Sequence, residues 1–396
     1  MPRRILITGA SIAGNTAAWT LAHRGFDVTV VERATRFRDG GQNIDVRGRR
    51  HGARSDYGRD PPARTTDTGE DGTAGTDAHA QAAAPFKPED SDVDGPTADR
   101  RILRGDLPRL LYDAARGHVT YRFGDRIASI EDAAGSDAAT VTLESGCSER
   151  FDAVIVAEGV GSSTREQVFP GENDPRWMDL TIAYFTIPRS ADDDPLWRWY
   201  HTTGGRSISL RPDRHGTTRA MLSLQKPPEG EQDWDIDAQK TYLHERFADA
   251  GWQAARVLDG MHGTDDFYFD ALRQVRMQRW HSGRTVLTGD AAWCATPLAG
   301  IGATLAVTGA YVLANEIAQA ATLDAAFAAY ATAMRPMVEQ AQGVPKIGPR
   351  LMNPHSRLGI HLLHGALKLA SQPSVQNLAA KWMTPAIKAP DLSRYP

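Results

Sequence analysis

The chain has 396 residues, 41% hydrophobic and 24% charged, with a formal net charge of −4. That length exceeds one small core and calls for a large domain with a smaller second one. Both signs of charge are spread along it without a long basic block, which argues against nucleic acid as a partner. Its two cysteines, Cys147 and Cys294, lie far apart with no Cys-x-x-Cys or Cys/His pattern, so neither a disulfide framework nor a zinc site is indicated, and a reducing, cytoplasmic setting fits.

In chain order, residues 4–8 read as a buried parallel strand, because a short apolar run ends in glycine and gives way to a helical pattern at residues 12–23. Basic residues before Ile5-Leu6-Ile7 imitate a leader, but Thr8-Gly9 breaks the run and a nucleotide-binding pattern accounts for the residues through Glu32. The valine-rich stretch 26–32 follows Gly25 as a second strand, completing a right-handed βαβ unit. No stretch offers the roughly 18 to 20 uninterrupted apolar residues of a membrane span.

Residues 47–85 contain no Leu, Ile, Val, Met, Phe or Trp, and Tyr57 is their only tyrosine. Such a segment cannot bury a core of its own. Two readings stay open: a surface insertion such as a lid, or a helix-coding segment scrambled by compensating frameshifts, since GC-rich codons read out of frame give this Arg/Gly/Ala/Pro/Asp mixture. Order resumes at residues 102–115, where Leu107, Leu110, Leu111 and Ala114 mark one helix face.

Short strands are expected at residues 119–123, 128–131 and 139–143, and a buried one at 151–157. Residues 182–187, 207–211 and 219–224, joined by Gly/Asp/Pro turns, indicate a mostly antiparallel sheet outside the nucleotide domain. Helical pattern returns at 238–250. A strand at 285–288 precedes long helices at 303–320 and 323–342, the second expected to kink near Pro336. The apolar and basic residues 360–382 form an amphipathic segment whose expected role is core packing rather than membrane or partner binding.

Gly9-Ala10-Ser11-Ile12-Ala13-Gly14 is a G-x-S-x-x-G form of the dinucleotide fingerprint, set between strand and helix. Gly9 makes the tight turn, and the helix start beyond it offers free N–H groups and partial positive charge to a pyrophosphate. Ser11 replaces the usual second glycine yet stays small, and Glu32 ends the second strand where it can accept from ribose hydroxyls. Far along the chain, Val286-Leu287-Thr288-Gly289-Asp290-Ala291-Ala292-Trp293 precedes Pro297 and Gly300-Ile301-Gly302, which opens a helix. Asp290 is placed to accept from a polyol, and the glycines free N–H groups where negative charge would be stabilised.

These residues resemble the Gly-Asp motif of FAD-dependent aromatic hydroxylases of the p-hydroxybenzoate hydroxylase class, which includes tetracycline-inactivating and polyketide monooxygenases. The resemblance implies that Asp290 holds the ribityl chain of FAD while Pro297 and Gly300-Ile301-Gly302 line the isoalloxazine. The family's usual His is Trp293 here, and its frequent Asn is Thr304. Residues from Asp152 to Arg165 look like the family's D-x-x-x-x-A-D-G-x-x-S-x-x-R stretch, with Glu158 in place of its second Asp. Arg104 is similar to an arginine that touches the cofactor, and Asp45 closes a segment resembling the one beneath the flavin. Arg33 and Arg38 are candidates for the phosphates of NAD(P)H.

The implied fold is α/β: a Rossmann-like FAD-binding domain (residues 1–75, 100–170 and 272–345), an inserted, mostly antiparallel substrate domain (76–99 and 171–271), and a C-terminal helical segment (346–396). The implied activity is hydroxylation of an aromatic or polyketide-like small molecule by NAD(P)H and dioxygen through a flavin C4a-hydroperoxide, in a monomer or weak homodimer without membrane attachment. Phe185, Trp197, Tyr200, Phe267 and Tyr268 are candidate pocket aromatics, and Cys294 reads as a small buried filler. The motifs assign no catalytic side chain and no metal. A dehydrogenase or reductase of the same fold, or a degenerate flavin-binding protein, are the competing readings.

Overall fold

The computed structural model describes residues 3–37, 43–45, 72–76, 82–86, 101–103, 106–132, 136–213, 215–370, 372 and 388–395. Arg38, residues 40–42 and Arg104 lie outside them. Strands Arg4–Thr8 and Asp27–Glu32 pair in parallel across the helix Ile12–His23. Their residues Ile5, Leu6, Ile7, Val28, Val30 and Val31 are buried, as an unbroken apolar run on a strand covered on both faces requires.

This sheet runs in the order His281–Ser282, Thr285–Leu287, Ala153–Val156, Arg4–Thr8, Asp27–Glu32, Thr120–Phe123. Only its two-residue edge strand pairs antiparallel. Helix Gly302–Gln319 packs between the first helix and Leu323–Ala341. The latter runs through Pro336 as one element, with Met334 and Met337 buried on either side; packing of its apolar face carries it past the missing donor.

The second sheet has seven strands: Tyr268–Gln274, Arg176–Pro188, Thr217–Gln225, Arg206–Pro212, Leu196–Thr202, Gly72–Thr76 and Ala82–Phe86. All its pairings are antiparallel except Leu196–Thr202 with Gly72–Thr76. Alternation gives it two faces. Ala183, Phe185, Ile187, Tyr200, Ile208, Leu210, Ala220 and Leu222 pack beneath helices Ile236–Phe247 and Ala254–His262. The opposite face carries Leu180, Ile182, Tyr184 and Leu272, which gather with Val344.

Two expected domain limits are corrected here, because the boundaries at 75/76 and 271/272 fall inside the strands Gly72–Thr76 and Tyr268–Gln274 of this sheet. The first has the sequence GTAGT, with no apolar alternation to signal it. It joins through its backbone ladder, in register from Leu196 opposite Gly72 to Tyr200 opposite Thr76. The second continues one ladder with Arg176–Pro188, so its last residues stay with the sheet they pair with.

Helix Arg357–Ala370 lies against strands Leu196–Thr202 and Ala82–Phe86. Ile360, Leu363, His364 and Leu367 on its inner side are half-buried, whereas Leu358, Leu362 and Leu369 are 70%, 66% and 55% exposed. Core packing, expected for this segment, describes one face only. The tail 388–395 returns to the first domain, where the buried Tyr395 donates from its hydroxyl to Glu316 Oε1 at 2.6 Å.

Where that helix meets the sheet, His201 Nδ1 lies 3.3 Å from His364 Nε2. Burial first, and then the neighbouring His364 ring, push the His201 pKa down to about 4. A histidine kept neutral in the fold binds fewer protons than it does unfolded, so its contribution is full above the unfolded value near 6.5 and is lost as pH falls toward 4. That window is worth about 3 kcal/mol. His201→Gln is expected to flatten the pH dependence of the urea midpoint between those limits; an unchanged slope would refute the assignment.

Candidate functional site

The first corner is built by steric necessity. Gly9 has φ +100°, and a Cβ there would sit 2.4 Å from the Ala157 carbonyl oxygen; one on Gly14 would come within 1.8 Å of the Gly9 oxygen. The helix therefore starts hard against the turn. Its N-cap, Ser11, is exposed and makes no side-chain capping bond, and the first turn carries no acid. The first N–H groups thus keep their capacity for an anion.

Glu32 accepts from the Ala10 and Ala34 amides, each at 2.9 Å, one on each carboxylate oxygen. Both oxygens retain lone pairs for ribose hydroxyls. Arg33 beside it is exposed and lines a cavity of about 330 Å³ with Gly124, Asp125, Arg126 and Glu144. Sequence reasoning missed Asn15, which is fully buried in the helix. Its Nδ2 donates to the Ala10 carbonyl at 2.9 Å, and its Oδ1 accepts from Tyr121 Oη at 2.9 Å. A lone amide in an otherwise apolar helix was the available signal.

The second corner lies directly on the first. Gly289 has φ +63° and ψ −149°, a conformation open essentially to glycine. A Cβ added to it would stand 2.8 Å from that of Ala13. Residues 276 apart in sequence are thus in van der Waals contact, and the half-buried Asp290 begins a helical turn right beside the pyrophosphate-type helix start. After it, Thr296 holds φ +72°, rare for a threonine. Its buried Oγ1 has no hydrogen-bond partner among the described residues. Gly300 has φ +65° and ends the 3-10 turn of Pro297, Leu298 and Ala299. Ile301 then caps Gly302–Gln319 without a side-chain bond, and no acid occupies that first turn.

The third motif braces the other two. Glu158 accepts from Thr8 Oγ1 at 2.7 Å, Ser162 Oγ at 2.6 Å and both the amide and hydroxyl of Thr164, at 3.1 and 2.6 Å. Its extra methylene, relative to aspartate, is absorbed by this internal network. Arg165 is buried rather than solvated: Nη1 donates to the Ala291 carbonyl at 3.2 Å and Nη2 to that of Val160 at 3.1 Å. Burial lowers its pKa, although the adjacent Glu166 opposes the shift.

Trp293 is 1% exposed and packs with Trp280 and Tyr330, at ring separations of 4.5 and 5.7 Å. It belongs to the core, where Gly309 of the following helix makes room for it. Cys294 is buried as expected of a small filler, and its carbonyl accepts from the Val275 amide at 3.1 Å. Gln342 Nε2 donates to the Val275 carbonyl at 2.7 Å. These bonds stitch the second sheet's edge to the Gly-Asp turn.

The pocket aromatics divide by strand alternation. Phe185 and Tyr200 are buried under the helices, Tyr200 donating to the Ala250 carbonyl at 2.7 Å, and Phe267 packs against the same cluster. These three candidates thus sit in the core beneath those helices. Trp197 and Tyr268 belong to the opposite face. Trp197 Nε1 donates to Ser209 Oγ at 2.5 Å, and Tyr268 stands across from Tyr184, 6.3 Å ring to ring. Asp45 lies in the short strand Asn43–Asp45, paired antiparallel with Arg101–Leu103, which brings it beside the segment leading to Arg104.

Comparison with known proteins agrees with this geometry. The FAD binding domain family matches residues 3–342. Monooxygenase CTB7 of Cercospora beticola is 34% identical over 395 residues, covering 95% of this chain and 94% of that protein. FAD-dependent monooxygenase asL4 of Sarocladium schorii is 30% identical across 100% of this chain and 99% of its own length. The chain belongs to the FAD-dependent monooxygenases. Among solved structures of this family's fold, the tetracycline destructase Tet(51) superposes with a TM-score of 0.80 at 26% identity, over 99% of this chain and 100% of that one.

FAD is accordingly the cofactor, and the residues fit it. Two uncapped helix starts, a ribose-competent carboxylate and an orphaned hydroxyl on a strained loop provide for one extended, anionic dinucleotide. When bound, it supplies electron transfer and oxygen activation that no side chain here performs. The helix starting at Ile12 would face the pyrophosphate, Glu32 the ribose and Asp290 the polyol chain. Gly302–Gln319, entering with its positive end, would favour negative charge on the ring edge nearest it.

Proposed function

We propose that this monooxygenase uses NAD(P)H and dioxygen to hydroxylate an aromatic or polyketide-like small molecule held between the Gly-Asp turn and the face of the second sheet that is turned away from helices Ile236–Phe247 and Ala254–His262. In the overall change, one oxygen atom enters a C–H bond, the other leaves as water, and NAD(P)H supplies two electrons. The observation that carries the reading is the stitch of Val275 to Cys294, which sets that face next to the flavin corner. Tyr184, Tyr268 and Trp197 line the face with ring surfaces suited to a planar substrate. The structural neighbour Tet(51) is named for a fused-ring compound, tetracycline, which supports the same substrate class.

The protein's part is to position the substrate, to exclude water and to hold charge at the flavin edge. Anaerobic titration with NADH and NADPH in the presence of candidate phenols, followed by isotopic dioxygen, tests the reading. One labelled oxygen in the product is expected. Flavin reduction without label in any product would make the chain a reductase instead. Tyr268→Ala is expected to raise KM about tenfold or more at unchanged flavin content, whereas Phe185→Leu alters stability and leaves KM in place.

A further inference from the structure

Residues 340–390 contain six Lys and Arg and no Asp or Glu, although the whole chain carries −4. Within this stretch the described structure shows a helix that is apolar on two sides. Its inner residues Ile360, Leu363 and Leu367 meet the substrate-domain sheet. On the outer side Leu358, Leu362 and Leu369 recur at helical spacing with 70%, 66% and 55% exposure. Earlier in the same stretch, Leu351, Met352 and Ile347 are also exposed, at 61%, 40% and 58%. A helix apolar all round is ordinarily buried, and so many large exposed side chains together mark an interaction surface.

The charges around the patch indicate what covers it. Arg350, Arg357 and Lys368 are exposed along its length, as are His355 and His361, while Lys346 reaches Asp179 at 3.4 Å. Arg357–Ala370 spans 14 residues, or about 21 Å, too short to cross a bilayer but long enough to lie along one. No helix among the described residues is long and apolar enough to span a membrane. Exposed leucines flanked by cations without interleaved acids match an anionic lipid surface, where apolar insertion and headgroup attraction act together.

We propose that the C-terminal helix Arg357–Ala370 docks this enzyme on anionic membranes. The dock places the edge strand Ala82–Phe86 and the nearby strand Leu196–Thr202, both in contact with this helix, close to the lipid boundary, from which an apolar substrate can enter without crossing bulk water. Salt weakens the attraction.

The test is co-sedimentation of the full-length, FAD-loaded protein with vesicles of pure phosphatidylcholine or of phosphatidylcholine with phosphatidylglycerol. Binding to the anionic vesicles, released by high salt, is expected. Leu358→Ser/Leu362→Ser/Leu369→Ser and, separately, Arg350→Glu/Arg357→Glu should each weaken it about tenfold or more, with flavin absorbance and thermal midpoint confirming the fold. Absence of binding at low salt would overturn the proposal, as would binding that both variants leave unchanged. A dimer in solution that only the serine variant dissociates, without vesicle binding, would assign the patch to a second copy of the chain and equally refute it.

Discussion

Gly14→Ala is expected to reduce FAD affinity at least about a hundredfold, near 2.7 kcal/mol. The new methyl would sit 1.8 Å from the Gly9 carbonyl oxygen, a backbone atom of a turn that has no room for a Cβ on its Ala157 side either. Neither side can yield cheaply, so the helix start must swing away from the phosphate-binding turn. Gly117→Ala is the matched control, since no atom lies within 4 Å of its added Cβ and its φ is ordinary. Fluorescence titration of the apoprotein with FAD measures both, with circular dichroism to show that each is folded. Affinity of Gly14→Ala within threefold of the parent would mean that this turn does not hold the dinucleotide.

The second large effect concerns the core behind the Gly-Asp turn. Trp293→Ala is expected to cost about 3–5 kcal/mol, because a fully buried indole in contact with Trp280 and Tyr330 leaves a cavity that the surrounding helices cannot fill. Gly309→Ala probes the same contact from the other side. Its Cβ would meet Trp293 Cζ2 at 2.7 Å and Cη2 at 3.2 Å, an overpacking of about 1–3 kcal/mol. In a Trp293→His background that clash disappears, and alanine's helix propensity should make Gly309→Ala neutral or stabilising. Urea denaturation of the four proteins in this cycle is expected to give a coupling above about 1 kcal/mol. Additive effects would show that Gly309 is not small on account of Trp293.

What was legible in the sequence was whatever depends on period and on backbone geometry. The continuous apolar runs of the parallel strands and the paired glycine corners announced the first domain, since each states a local requirement in a few adjacent residues. The face of a strand was less legible. Phe185 and Tyr268 are both aromatic and near each other in the sheet, yet only register and the position of the covering helices decide which one is buried beneath them. Ladder partners without apolar signal, such as Gly72–Thr76, were invisible for the same reason that they pair at all: backbone hydrogen bonds ask little of side chains. Arg165 shows the converse, a charged residue that is buried as a clamp on Ala291.

The order of strands in the first sheet has a bearing on how the protein is made. Its central ladder joins residues 4–8 to 153–156 and these to 285–287, and the second flavin corner follows immediately. Such distant pairing is slow to form and leaves strand edges open meanwhile. At about 5–20 residues per second, a ribosome needs roughly 15–60 s to reach Gly289, and until then the growing chain owns only half of its cofactor cradle. Acquisition of FAD is therefore a late event in biosynthesis.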